Sequence, residues 1–223
     1  MNKYPVNDVY YTIQGEGVLT GTPAIFLRLH GCPVGCPFCD TKETWEMTAQ
    51  DEVDSIDAAH SAPEAYSWQG TEEIVSYLNQ RWLNAGWVVI TGGEPALYDL
   101  KELVSALQAD GKKVAIETSG TANGHVDAGF DWVTVSPKIN MPGKLAILPE
   151  AMATANEIKH VIGRQRDIDA LDNLLENCPP QANTTICLQP ISQSEKATAL
   201  AIDVAKERNW RLSIQVHKYI AIP

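Results

Sequence analysis

The chain has 223 residues, 44% of them hydrophobic and 20% charged, and a formal net charge of −11 from 28 acidic and 17 basic residues. That size suits one or at most two domains, and the composition is that of a soluble globular protein. The negative field and the lack of a basic stripe exclude a nucleic-acid binder. No run of about 18 apolar residues predicts a membrane span. The start Met1-Asn2-Lys3-Tyr4-Pro5 has no signal-peptide core, so a cytoplasmic location is expected.

Short β-branched runs alternate with helical stretches, which favours a mostly parallel sheet. Ala24–His30 reads as the first strand, preceded by a glycine-rich run, Gln14-Gly15-Glu16-Gly17, whose plain reading is a turn. A helix is expected over Thr71–Ala85, with Thr71 as N-cap and Gly86 as stop. A strand over Trp87–Thr91 and a helix over about Asp99–Ala109 follow, then strands over Lys113–Glu117, Trp132–Ser136 and Glu157–Val161. A helix over about Asp167–Glu176, a strand over Thr184–Leu188, a helix over Ser194–Arg208 and a last strand over Trp210–Val216 complete the pattern. The chain reads as one domain, 1–223, with six or seven strands. The segment at about 42–70 is acidic, alanine-rich and without clear period. It reads as a long insertion over the first strand's mouth, as functional covers often are.

The unusual residues fall just past the strand ends: Cys32, then Thr91-Gly92-Gly93-Glu94-Pro95, Glu117-Thr118-Ser119-Gly120, Ser136-Pro137-Lys138, Lys159-His160, Gln189-Pro190 and His217-Lys218. In parallel α/β barrels the active site lies at the carboxyl ends of the strands, so these segments would converge on one site. The two glycines after Thr91 let the backbone approach a ligand closely. Ser136 and Lys138 offer a hydroxyl and an ammonium, and Glu117 at a buried strand end requires a partner.

Five cysteines is an odd number, and Cys32, Cys36 and Cys39 crowd into eight residues. That argues for a metal or cluster site in a reducing compartment rather than a disulfide framework. Three thiolates in C-x3-C-x2-C can hold three irons of a 4Fe–4S cube and leave the fourth iron open to a ligand. The competing reading is zinc, which would need a fourth ligand such as His30 or His217, because only one C-x2-C pair is present. Cys178 and Cys187 stand alone and read as structural.

C-x3-C-x-aromatic-C resembles the signature of the radical S-adenosylmethionine superfamily. The resemblance implies a 4Fe–4S cluster on the catalytic Cys32, Cys36 and Cys39, and S-adenosylmethionine bound at the open iron. Phe38 would lie beside the adenine, with Cys39, Asp40, Gly93, Ser136, Pro137, Lys138 and Gln189 as further cofactor contacts. The run Tyr11 to Gly17, with Arg28-Leu-His-Gly-Cys32, Cys39-Asp40-Thr41, Ile116-Glu-Thr-Ser-Gly120, Asn156-Glu-Ile-Lys-His160 and Leu188-Gln-Pro190, is similar to the 7-carboxy-7-deazaguanine synthase family over nearly the whole chain.

That resemblance implies an α/β fold, an incomplete TIM-like β/α barrel of parallel strands. It implies a carbon–nitrogen lyase that converts 6-carboxy-5,6,7,8-tetrahydropterin to 7-carboxy-7-deazaguanine with loss of ammonia, toward queuosine. Ile13, Gln14, Gly15, Glu16, Arg28, Thr91 and Pro223 would contact the pterin, and Thr41 would ligate a magnesium ion. A homodimer and a reductant such as flavodoxin or ferredoxin are the implied partners. Two other readings stay open at this point: an activating enzyme for glycyl-radical proteins, and a metal-stabilised interaction protein without turnover.

Overall fold

A computed structural model describes residues 2–220. Its centre is one nine-stranded sheet in the order β3-β1-β2-β4-β5-β6-β7-β8-β9. Strands β2 (Pro23–Leu29), β4 (Trp87–Gly92), β5 (Lys113–Thr118), β6 (Trp132–Val135), β7 (Glu157–Ile162), β8 (Thr185–Pro190) and β9 (Arg211–Leu212) pair in parallel. These are the seven strands the sequence predicts. The last is far shorter than the expected Trp210–Val216.

Two strands are not foreseen. The eleven-residue β1 (Lys3–Ile13) and the short β3 (Ser67–Gly70) both pair antiparallel, so the mostly parallel sheet carries an antiparallel edge. β1 hides its period because Pro5, Asn7 and Asp8 are turn formers and its register shifts between Val6 and Asp8. Asn7 is instead a tie, donating through Nδ2 to the carbonyls of Pro63 and Ala65, both at 2.7 Å.

The segment at about 42–70 begins on the root of the cysteine loop, where Thr44 O and Trp45 O accept from Gly31 N–H and Cys32 N–H. It carries α1 (Ile56–His60) against β1 and delivers β3 to the sheet's edge. Of this segment only Trp45 reaches the cavity described below. Its short elements escaped notice because each is five residues or fewer.

Strand alternation sorts the side chains into two layers. Ile25, Leu27 and Leu29, Val88 and Ile90, Val114 and Ile116, Val133 and Val135, and Ile158 and Ile162 are buried in the main apolar core. Helices α2 (Thr71–Trp82), α3 (Lys101–Ala109), α5 (Gln165–Asn177) and α6 (Glu195–Arg208) supply Ile74 and Leu78, Leu103 and Leu107, Ile168 and Leu171, and Ala201 and Val204 to that core, at helical spacing. The short α4 (Pro149–Thr154) adds Met152. Helix α2 begins one residue earlier than the capping reading placed it: Gly70 is its N-cap and Thr71 its first helical residue.

The alternate positions point to the barrel's interior. Ala24, Val89 and Ala115 form a second, smaller apolar cluster with Leu19, Phe26, Trp87 and Trp132 packed against it. Two or four residues further along these chain segments come Arg28, Thr91, Glu117 and Ser136, and β7 and β8 add Lys159 and Gln189, all lining one cavity. The period-two register thus converts an apolar floor into a polar mouth at the carboxyl ends.

Candidate active site

The cavity has a volume of about 540 Å³. Ile13, Gln14, Gly15, Glu16, Arg28, Cys32, Cys36, Phe38, Cys39, Asp40, Thr41, Thr91, Gly93, Ser136, Lys138 and Gln189 all line it. Among the expected contacts Pro137 is not on its wall, being buried behind it, and Pro223 lies outside the described residues.

The cysteine loop is seated by backbone pairing. Gly31 N–H donates to Thr44 O at 2.8 Å and Cys32 N–H to Trp45 O at 3.0 Å, while Cys39 N–H closes a turn on Cys36 O at 3.0 Å. Burial pushes the Cys32 thiol up to about 11 and raises that of Cys36 as well. A bound metal must therefore displace protons from these sulfurs. Among the described residues no three His, Cys, Asp or Glu side chains gather around a single-ion position. Structural zinc takes four ligands in one tetrahedron, whereas a cube spreads three thiolates over separate irons. Cys187 is buried in the barrel's interior and Cys178 caps α5, and neither lines the cavity. The donor set is thus three soft thiolates, the set that fits a cluster with one open iron.

The two glycines at the end of β4 do something the sequence reading missed. A Cβ on Gly92 (φ +134°) would sit 2.0 Å from Leu29 O, and one on Gly93 would sit 2.3 Å from Gly31 O. Gly93 N–H and Glu94 N–H donate to those same two carbonyls, both at 2.8 Å. The pair lets β4 dock on the root of the cysteine loop, besides leaving Gly93 at the cavity wall. Glu94, 1% exposed, accepts from Thr118 Oγ1 at 2.6 Å, Ser119 N at 2.7 Å and Ala96 N at 3.0 Å. Its role is to tie the ends of β4 and β5 together. Just past β6, Lys138 Nζ donates to Ser136 Oγ at 2.6 Å, and burial lowers the Lys138 ammonium's affinity for its proton.

Arg28 is placed by a strand the sequence reading did not see. Its Nη2 donates to Tyr10 Oη at 2.9 Å, and the Tyr10 ring stacks on Phe26 with centroids 5.4 Å apart. Tyr10 and Phe26 are register partners across β1 and β2. Burial raises the Tyr10 hydroxyl above its ordinary range.

Also on the cavity wall, Lys159 Nζ donates to Glu16 Oε2 at 2.6 Å and to Glu117 Oε1 at 3.2 Å. Gln14 Nε2 donates to Glu117 Oε1 at 3.0 Å and Gln215 Nε2 to Glu16 Oε1 at 2.8 Å. Burial works to raise the Glu16 carboxyl, yet the Lys159 ammonium and these hydrogen bonds bring it down to about 2. Burial likewise opposes the Lys159 charge, and the Glu117 and Glu16 carboxylates more than offset it, holding its proton well above the usual lysine range. Because Glu16 falls from its ordinary 4.5 to about 2, its stabilising contribution is complete above about pH 4.5 and is lost as pH falls through about 2.

Sequence reasoning singled out Glu117 as needing a partner but assigned it no role, and it assigned none to Lys159, Gln215, Tyr10 or Phe26. The period-two step from Glu157 to Lys159 to Val161 was the available signal for Lys159.

Comparison with known proteins agrees with this geometry. Residues 27–191 match the model described as the radical SAM superfamily. The chain is 47% identical over 222 residues to 7-carboxy-7-deazaguanine synthase of Escherichia coli (strain K12), covering 99% of both proteins. It is 40% identical to the 7-carboxy-7-deazaguanine synthase of Buchnera aphidicola subsp. Schizaphis graminum, covering 98% of this chain and 99% of the relative. The crystal structure of QueE from Escherichia coli superposes with a TM-score of 0.89 at 45% identity, covering 96% of this chain and 95% of that one. These full-length matches set aside the activating-enzyme and non-catalytic readings. The chain is a radical SAM enzyme and belongs to the 7-carboxy-7-deazaguanine synthase family.

Proposed function

We propose that this cavity takes up 6-carboxy-5,6,7,8-tetrahydropterin beside S-adenosylmethionine and turns it into 7-carboxy-7-deazaguanine with loss of ammonia. The observation that carries this reading is a single cavity with three thiols, a tyrosine-backed arginine and a carboxylate pair on its walls. Cys32, Cys36 and Cys39 would hold the 4Fe–4S cluster, and Phe38, Asp40, Gly93, Ser136, Lys138 and Gln189 would seat S-adenosylmethionine. Pro137 would act from behind the wall through the backbone. When bound, that pair supplies a 5′-deoxyadenosyl radical able to take hydrogen from C6 of the pterin.

The remaining residues bind and orient. Arg28 presents a planar fork that matches the substrate carboxylate. Gln14 and Glu16, with the backbone of Ile13 and Gly15, would read the donors and acceptors of the pterin edge, and Thr91 would add a contact from β4. Thr41, with its Oγ1 3.6 Å from Cys39 Sγ, would ligate magnesium together with waters and the substrate carboxylate, since that ion keeps much of its hydration shell. The same reading carries a single domain, a homodimer, a flavodoxin or ferredoxin as electron donor, and a contact from the Pro223 carboxylate.

Anaerobic incubation of the reduced, reconstituted protein with S-adenosylmethionine and the pterin tests the reading. Formation of the deazaguanine with stoichiometric ammonia is expected, and intact pterin after prolonged incubation would overturn it. Arg28→Ala is expected to lower kcat/KM by about tenfold to a hundredfold, the cost of a lost charge-assisted pair. Tyr10→Phe removes only the hydrogen bond that aims Arg28 and is expected to raise KM by about fivefold with kcat unchanged. Steady-state kinetics on both variants check this, and a Tyr10→Phe KM equal to that of the unmodified protein would remove Tyr10's supporting role.

A further inference from the structure

Lys159 is a buried titratable group on the cavity wall that binding of the cluster, the nucleotide or the substrate carboxylate leaves unexplained. Its side chain is 4% exposed, and its ammonium lies between two carboxylates from distant parts of the chain. A buried ion pair of this kind is weak evidence for stability, because desolvation offsets the attraction. It does fix geometry. Glu16 sits on a loop whose other bonds also run to the far side of the barrel: Gly17 N–H donates to Ser213 Oγ at 2.8 Å, Val18 N–H to Glu157 Oε2 at 2.9 Å, and Val216 N–H to Gly15 O at 2.9 Å. Glu117 ends β5. Lys159 is the one side chain that bonds both carboxylates among the hydrogen bonds described.

We propose that Lys159 is a positioning residue that holds Glu16 and Glu117 as a matched carboxylate pair, leaving one residual negative charge that selects a substrate edge rich in N–H donors. Two carboxylates and one ammonium sum to −1. A neutral heterocycle whose fused ring presents amino and ring N–H groups complements that charge, and an edge of acceptors is repelled by it. The inference rests on the pterin reading above and extends it to the residue that keeps the acceptors ionised.

The charged groups facing Glu16 are Lys159 on β7, His217 after β9 and, through the shared lysine, Glu117 on β5 and Glu157 on β7. Lys138 lies beyond β6 within electrostatic reach. Removing the lysine leaves burial and mutual repulsion to act on the pair. One carboxyl then retains a proton to higher pH and offers an O–H where the ligand needs an acceptor. Raising the pH removes that proton, so the defect should shrink.

The test is equilibrium binding of 6-carboxytetrahydropterin to the full-length, anaerobically reconstituted protein, by calorimetry, at about pH 6 and about pH 8.5. Lys159→Met is expected to weaken pterin binding by about tenfold or more at the lower pH and by clearly less at the higher, with S-adenosylmethionine affinity unchanged. In a Lys159→Met background, Glu16→Gln should cost less than it does alone, because the two act as a unit. Should Lys159→Met fail to fold, Lys159→Met with Glu117→Gln removes one stranded charge and should show the same pH dependence through Glu16. Pterin affinity equal to the unmodified protein at both pH values, or pterin and S-adenosylmethionine affinities falling together, would overturn the proposal. If the unmodified protein binds no pterin, the functional reading itself falls and this inference with it.

Discussion

Replacing any one of Cys32, Cys36 or Cys39 by alanine is expected to abolish turnover while leaving the chain folded. The three sulfurs line one cavity wall, and the loop that carries them is held by backbone hydrogen bonds from Gly31, Cys32 and Cys39 that an alanine preserves. The folded scaffold therefore survives the loss of a thiol. The chemistry does not, because two thiolates cannot hold a cube with a defined open corner. The expected loss is at least about ten-thousandfold, or roughly 5.5 kcal/mol of barrier. Cys178→Ala and Cys187→Ala are the matched controls, since neither residue lines the cavity, and both should retain iron and activity. Iron content, circular dichroism and product formation measured on all five variants check this together. Activity surviving in any member of the triplet would remove the cluster from the mechanism.

Gly92→Ala is expected to damage folding rather than chemistry alone. A methyl at this position would meet Leu29 O at 2.0 Å and Leu29 N at 2.4 Å, and the residue's φ of +134° is one that side-chain-bearing residues rarely adopt. Backbone cannot swing aside as a long side chain can, so β4 must separate from β2 at the root of the cysteine loop. Strain and overpacking of this kind cost about 3 kcal/mol or more, equivalent to a fall of roughly 6–12 °C in Tm for a chain of this size. Gly86→Ala is the control, because nothing lies within 4 Å of its added methyl. Thermal melting of the two apo variants decides it. Gly92→Ala melting with the unmodified protein would mean that the glycine pair serves a ligand alone.

These two expectations mark where the sequence was legible. The cysteine spacing states its chemistry outright, because few donor sets other than three clustered thiolates leave a cube open. The seven parallel strands were legible because buried strands read as uninterrupted apolar runs such as Val88-Val89-Ile90. The glycine pair was noticed, but its packing against Leu29 and Gly31 was not, since contacts between chain segments some 60 residues apart leave no local trace. β1 was missed because Pro5, Asn7 and Asp8 advertise a turn, and with it went the Tyr10 support behind Arg28. The short elements of the segment from 42 to 70 were not legible because composition says that a stretch is unusual without saying which edge of the sheet it joins.

The central claim is that three thiolates hold an iron–sulfur cube whose free iron receives S-adenosylmethionine. Electron paramagnetic resonance of the reduced, anaerobically reconstituted protein, recorded with and without that nucleotide, tests it most directly. A brown protein with about four irons per chain, whose cluster signal shifts on adding the nucleotide, is the result expected. A colourless protein, or a cluster signal indifferent to saturating nucleotide, would contradict it.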